Sequence, residues 1–209
     1  MTRAMGIVLV RVARLAFAGL AVAAVVAAIR VTGSLADFFS YFTIESNLLA
    51  IVVLIVGGTL DPQGRRWVYL RGAATLFMVI TGIIYAVLLA HAEVGLTTPW
   101  INDTLHRVTP VVMLADWTAF SPWSRGSYRA ALSWLIGPLA YFAYSLLRGA
   151  AVHWYPYPFL NPGHAGGYGR VVIYAVVLAV AMGLMALGVN AIARWRVKSL
   201  GRHRAAAVS

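Results

Sequence analysis

Apolar residues in this chain run in long unbroken stretches, with neither the alternation of a half-buried strand nor the single apolar stripe of a surface helix. Six stretches stand out, at about 13–30, 38–58, 68–91, 104–120, 131–148 and 170–193. Each approaches the roughly 20 residues that a helix needs to cross a hydrocarbon core. Backbone polar groups in lipid must be satisfied within their own segment, so the pattern predicts an all-α integral membrane bundle of six transmembrane helices, one domain over residues 1–209. The polar breaks are short except at 151–169. There Trp154, Tyr155 and Tyr157 suit the headgroup level and Pro156, Pro158 and Pro162 forbid a regular helix, which reads as an outer cap loop. Gly183 and Gly188 in the last stretch are expected at close helix contacts.

Composition agrees, with 61% hydrophobic residues, 11% charged residues and a mean hydropathy of +0.80. The net charge of +11 would point to nucleic acid in a soluble chain; in this one it bears on topology. Loops on one side carry thirteen basic residues, among them Arg65, Arg66, Arg71, Arg125, Arg129 and the tail from Arg194 to Arg204, whereas the other side has Arg30, Arg148 and Arg170. The positive-inside rule then puts both termini, including the basic tail 194–209, in the cytoplasm. Arg3, Arg11 and Arg14 ahead of an apolar run also have the outline of a signal peptide, but its removal would reverse the tail, so the segment is read as a retained span. There is no Cys, which excludes disulfides, thiolate metal sites and Cys nucleophiles. The expected partner is the lipid bilayer, with no nucleic acid and no cofactor; nothing in the sequence fixes an oligomeric state. Sixteen Arg to one Lys and abundant Ala suit a high-GC bacterial genome, hence a plasma membrane, the bacterial inner membrane.

Polar side chains inside spans are costly, and here they gather toward one surface. The second span opens with Ser40, Thr43, Glu45, Ser46 and Asn47, and the fourth with Asn102, Asp103, Thr104, His106 and Arg107. Thr43 and Asn47 share a helix face, as do Asn102, Asp103 and His106, so the two sets can form one pocket. A His base activating a Thr hydroxyl is reasonable chemistry for such a pocket, with Asp103 or Glu45 to orient the base and Asn47 or Asn102 to meet an oxyanion. Arg107, Arg148 and Arg170 are candidates for a substrate carboxylate. Simpler readings stand beside these: Thr43 bonded to its own helix, carboxylates answering the helix dipole, and Asp116 paired within the bundle. Two other functions stay open. One is a channel, carrier or sensor with a polar vestibule; the other is a metal-dependent hydrolase built on His91, Glu93, His106 and His153 or His164.

Three motifs add a resemblance. Tyr41-Phe42-Thr43-Ile44-Glu45-Ser46-Asn47-Leu48, Trp100-Ile101-Asn102 followed by His106 and Pro110, and Tyr155-Pro156-Tyr157-Pro158-Phe159-Leu160 with Gly167-Tyr168-Gly169 resemble the androgen-induced-gene/FAR-17a-like membrane proteins, in their bacterial branch. The resemblance runs over nearly the whole chain. It implies a hydrolase of fatty acid esters of hydroxy fatty acids, with Thr43 as nucleophile and His106 as its base, and no metal. Glu45, Ser46 and Asn47 make the second span more polar than in the animal enzymes, and Asp103 stands where a second His would be unsurprising.

Overall fold

The computed structural model describes residues 3–90, 98–120 and 127–206, with side chains given over 4–195 of these. Every regular element among them is helical: α1 (Arg3–Val31), α2 (Leu35–Phe38), α3 (Phe42–Thr59), α4 (Arg65–Ile84), α5 (Pro99–Asp103), α6 (Thr109–Phe120), α7 (Tyr128–Leu132), α8 (Ile136–Val152), α9 (Pro162–Ala165) and α10 (Tyr168–Ala206). Two π turns extend this list, Tyr85–Leu89 after α4 and Thr104–Val108 joining α5 to α6. Five helical segments are long and apolar enough to cross a membrane: Ala4–Val31, Phe42–Thr59, Arg65–Leu89, Tyr128–Val152 and Tyr168–Trp195. The α5–α6 segment starts at Pro99, five residues before its apolar run, because proline is well placed in a first helical turn.

The outer surface is as apolar as the interior. On α10, Val172, Ile173, Val176, Val177, Val180 and Leu184 are all more than half exposed, a band far larger than a water-soluble monomer leaves uncovered. Lipid is the solvent that suits it.

Helix contacts rest on small residues. Ala18, Ala21, Ala24, Val25 and Ala28 bury one face of α1, recurring at three and four residues, against Ile44, Ala50, Ile51, Val53 and Leu54 of α3. α10 inserts Leu178, Met182, Ala186, Val189 and Ala193 into the main core beside Leu76, Ile80, Trp117 and Trp134. Gly183 and Gly188, expected at such contacts, are not there: a Cβ at either would meet nothing within 4 Å. They fall between the buried positions of α10, and the tight glycines lie on other helices. At Gly72 a Cβ would come within 2.3 Å of the Trp134 ring and 3.0 Å of the Trp117 ring. Gly72→Ala should therefore destabilise by about 1–3 kcal/mol through overpacking, read as a lower unfolding midpoint in detergent; Gly183→Ala should leave the midpoint unchanged.

The two ends of the bundle differ. At one, Arg14 donates to Asp116 (2.7 Å), to Asp61 (3.0 Å) and to the Gly57 carbonyl (2.9 Å), and Arg71 donates to the other Asp116 oxygen at 2.6 Å. Both guanidinium groups are buried, and Asp116 is the pairing partner that its position in an apolar helix requires. At the other end the first turn of α3, the π turn Thr104–Val108, residues 153–167 and the start of α10 meet.

Candidate active site

Helix α3 begins at Thr43's neighbour Phe42 without a side-chain cap, since the residue before it is Tyr41, whose extended backbone (φ −85°, ψ 130°) presents no short oxygen. Just inside that start, the Thr43 carbonyl accepts from Ser46 Oγ (3.1 Å) and Asn47 Nδ2 (2.7 Å), while the same Asn47 amide donates to the Leu105 carbonyl at 3.0 Å. Ser46 in turn meets Thr81 of α4 at 2.9 Å. The polar cluster read from the sequence thus ties three helices together around Thr43.

His106 arrives from the facing segment on a π turn. Pro110 has no N–H to give the His106 carbonyl, and its ring crowds that carbonyl, which widens the helix there. Thr109 helps close the wide turn, its hydroxyl donating to the Thr104 carbonyl at 2.9 Å. Gly82 of α4 admits the bulge, with Pro110 only 3.0 Å from where a Cβ would stand. His106 Nδ1 lies 3.1 Å from the Asn102 carbonyl and Nε2 lies 3.1 Å from Thr43 Oγ1. A carbonyl only accepts, so Nδ1 carries the hydrogen and the neutral ring turns the lone pair of Nε2 toward the Thr43 hydroxyl, which donates to it. Tyr85 stacks on the imidazole at 4.3 Å between centroids and accepts a hydrogen bond from the Asn102 amide, fixing the ring plane. The two π turns among the described residues therefore meet at His106, through the ring of Tyr85.

Thr43 also lines a small, partly open cavity of about 40 Å³. Its walls are Phe42, Ile80, Ile84, Leu89, Pro138 and Phe142 from the helices, Leu178 and Met182 from α10, and Tyr157, Phe159 and Leu160 from the loop expected as a cap. No charged side chain is in the lining. The loop begins where His153 ends α8 in the left-handed region (φ 56°) and is pinned by aromatic contacts, Trp154 and Tyr157 against Tyr41 at 5.6 and 5.8 Å and Tyr157 stacked on Phe159 at 5.2 Å. Gly149 admits Tyr155: a Cβ there would stand 2.1 Å from its ring.

The Tyr157 hydroxyl lies beside both the side chain and the backbone N–H of Thr43 and against the Tyr141 hydroxyl. Burial pushes its pKa up to about 12, so it stays a neutral donor across the physiological range. Tyr141 itself donates to the Ser40 carbonyl at 2.8 Å.

The other residues singled out by sequence lie outside this arrangement. Asp103 pairs with Arg107 at 2.6 Å on the exposed side of the helix, and Glu45 is exposed. A π turn, closed by i→i+5 bonds, takes up more residues than an α turn, so the three-residue spacing from Asp103 to His106 no longer brings them together. The Asn102 carbonyl orients the imidazole in their stead. Both hydrogens of the Asn47 amide are engaged and the Asn102 amide serves Tyr85, so neither faces the cavity. Arg148 pairs with Asp37 at 2.6 Å under the Trp154 ring, and Arg170 lies against Gly166. For the metal alternative, no three His, Asp or Glu side chains converge among the described residues, and His91 and Glu93 lie outside them. No known family, curated protein or solved structure matches the chain. Sequence reading missed Tyr85 and Tyr141, aromatics in apolar spans with no local signal; Tyr157 stood in a motif whose repeated tyrosines and prolines could have marked it.

Proposed function

We propose that this chain is a membrane-embedded hydrolase of lipid esters, fatty acid esters of hydroxy fatty acids or close analogues, with Thr43 as nucleophile and His106 as general base. One observation carries the reading: a buried Thr–His hydrogen bond of 3.1 Å, with the imidazole tautomer set for proton acceptance, in the wall of an apolar cavity. Thr43 Oγ1 attacks the ester carbonyl as its proton passes to His106 Nε2. The tetrahedral intermediate collapses to an acyl-threonine, and the departing alkoxide takes the proton from Nε2 and leaves as the alcohol. Water then attacks the acyl carbon and gives a proton to Nε2. Collapse of the second intermediate frees the fatty acid and returns that proton to Thr43. The uncharged lining suits an acyl chain, and a free carboxylate on the substrate would remain at the mouth.

The same reading includes α5–α6 as a sixth span, termini in the cytoplasm, the dyad near the outer face, a bacterial inner-membrane location, and membership of the androgen-induced-gene/FAR-17a-like family. The ionic cluster of Arg14, Arg71 and Asp116 at the opposite end agrees with a basic inner face.

The test is chemical labelling. Detergent-purified protein treated with an alkyl fluorophosphonate should be modified on the peptide bearing Thr43 and should hydrolyse a palmitic ester of hydroxystearic acid. Folded Thr43→Ala should do neither. Inert wild type, or a Thr43→Ala chain that hydrolyses at the wild-type rate, overturns the proposal.

A further inference from the structure

A Thr–His dyad generates charge on the carbonyl oxygen of its substrate, and some donor in the cavity wall must receive that charge. The sequence offers two amides for this, Asn47 and Asn102, and the hydrogen bonds of the site commit both elsewhere. Thr81 is committed as well. The Ser46 hydroxyl gives its hydrogen to the Thr43 carbonyl, so the Thr81 hydroxyl must donate into Ser46. Tyr141 donates to Ser40. Arg107, Arg148 and Arg170 are absent from the lining. What remains is one hydroxyl, delivered from outside the helical bundle by the loop that follows α8.

We infer that Tyr157 is the oxyanion donor of the proposed hydrolase, its hydroxyl stabilising the tetrahedral intermediate formed on Thr43. The inference rests on the hydrolase reading. Tyr157 lines the cavity, its hydroxyl abuts the nucleophile, and its ring is clamped between Tyr41 and Phe159 so that the oxygen is held in place. Only the O–H bond has to rotate, from the neighbouring hydroxyl oxygens toward the developing charge, so little reorganisation accompanies the reaction. The nucleophile's own backbone N–H, in the uncapped first turn of α3, donates to the Tyr157 oxygen and so helps hold it beside the reacting carbon. The loop therefore does more than cover the cavity: it completes the catalytic group.

The test compares wild type, Tyr157→Phe and Thr43→Ala. Phenylalanine keeps the ring and its stacking, so the variant should fold, with stability lowered by only about 1 kcal/mol for the lost buried hydrogen bonds. Its kcat should fall by about 10²–10³-fold, the usual cost of one oxyanion donor, while KM stays within a small factor. Inhibition by an alkyl trifluoromethyl ketone, which adds Thr43 as a tetrahedral oxyanion, should weaken by the same factor as kcat. Binding of the matching unreactive ether should not change. A merely structural role for the hydroxyl would weaken the ketone and the ether alike, and that result overturns the inference. Wild-type kcat in Tyr157→Phe, with Thr43→Ala inactive, also overturns it and leaves the dyad standing. A wild type that neither hydrolyses ester nor binds the ketone removes the hydrolase reading and this inference with it.

Discussion

Combining Thr43→Val with His106→Gln should lower ester hydrolysis no further than either substitution alone, each costing about 10³-fold or more. Valine replaces the Thr43 hydroxyl by a methyl of nearly the same shape, so the cavity keeps its form and only the nucleophile is lost. Glutamine at 106 keeps a polar group but offers no basic nitrogen to take the proton. Two residues that perform one proton transfer fail as a unit, and the second loss finds nothing left to remove. The measurement is kcat/KM for the four chains in detergent. Multiplying losses would mean that the residues act independently, and would sink the dyad. Each single variant leaves one buried partner unsatisfied, so unfolding midpoints have to be recorded alongside the rates. Asp103→Asn and Glu45→Gln should leave the rate close to wild type, because the imidazole is oriented by a main-chain carbonyl that neither substitution touches.

The second large effect lies at the opposite end of the bundle. Asp116→Ala should destabilise by about 3–5 kcal/mol, since it strips the carboxylate from two buried guanidinium groups and leaves uncompensated charge in a low-dielectric interior. Asp103→Ala breaks an ion pair of similar length whose partners are 61% and 48% exposed, and should cost under about 1 kcal/mol. Ion pairs of nearly the same length thus differ severalfold in effect, through desolvation and because Asp116 serves two guanidinium groups where Asp103 serves one. Replacing Arg14, Arg71 and Asp116 together by Met, Met and Leu should recover most of the loss, since it removes the buried charges and leaves only the 30% exposed Asp61, which water can reach. Unfolding in detergent, followed by urea or heat, decides between these outcomes; equal destabilisation by Asp116→Ala and Asp103→Ala would contradict the account.

Legibility in the sequence followed the range of the physics involved. Long apolar runs are local and strong, so the all-helical character and the presence of membrane-length helices could be read directly, five such helices standing among the described residues. The Thr43 and His106 pair could be suspected from residue type, but their contact joins positions 63 residues apart and depends on a helix widened by Pro110. That widening also defeated the spacing rule that coupled Asp103 to His106. The packing glycines were misjudged for a similar reason: which face of a helix meets a neighbour is a tertiary fact, and Gly183 and Gly188 offered no local sign that they faced outward. Tyr85 was invisible because an aromatic ring in a membrane helix is ordinary until something stacks on it.

The parts of the site come from different stretches of chain. Thr43 and His106 belong to the first 120 residues, whereas Tyr157, Phe159, Leu160, Leu178 and Met182 come from the last third. On the proposed hydrolase reading, variation in the loop around Tyr157 and in two turns of α10 would reshape what the cavity accepts while the proton-transfer pair is left untouched. Met182 in particular is an adaptable, unbranched filler, a position where chain-length preference can drift by single substitutions. A bundle divided in this way would, as the proposed hydrolase, be well suited to diversify its substrates during evolution, with the reaction inherited and the acyl group renegotiated.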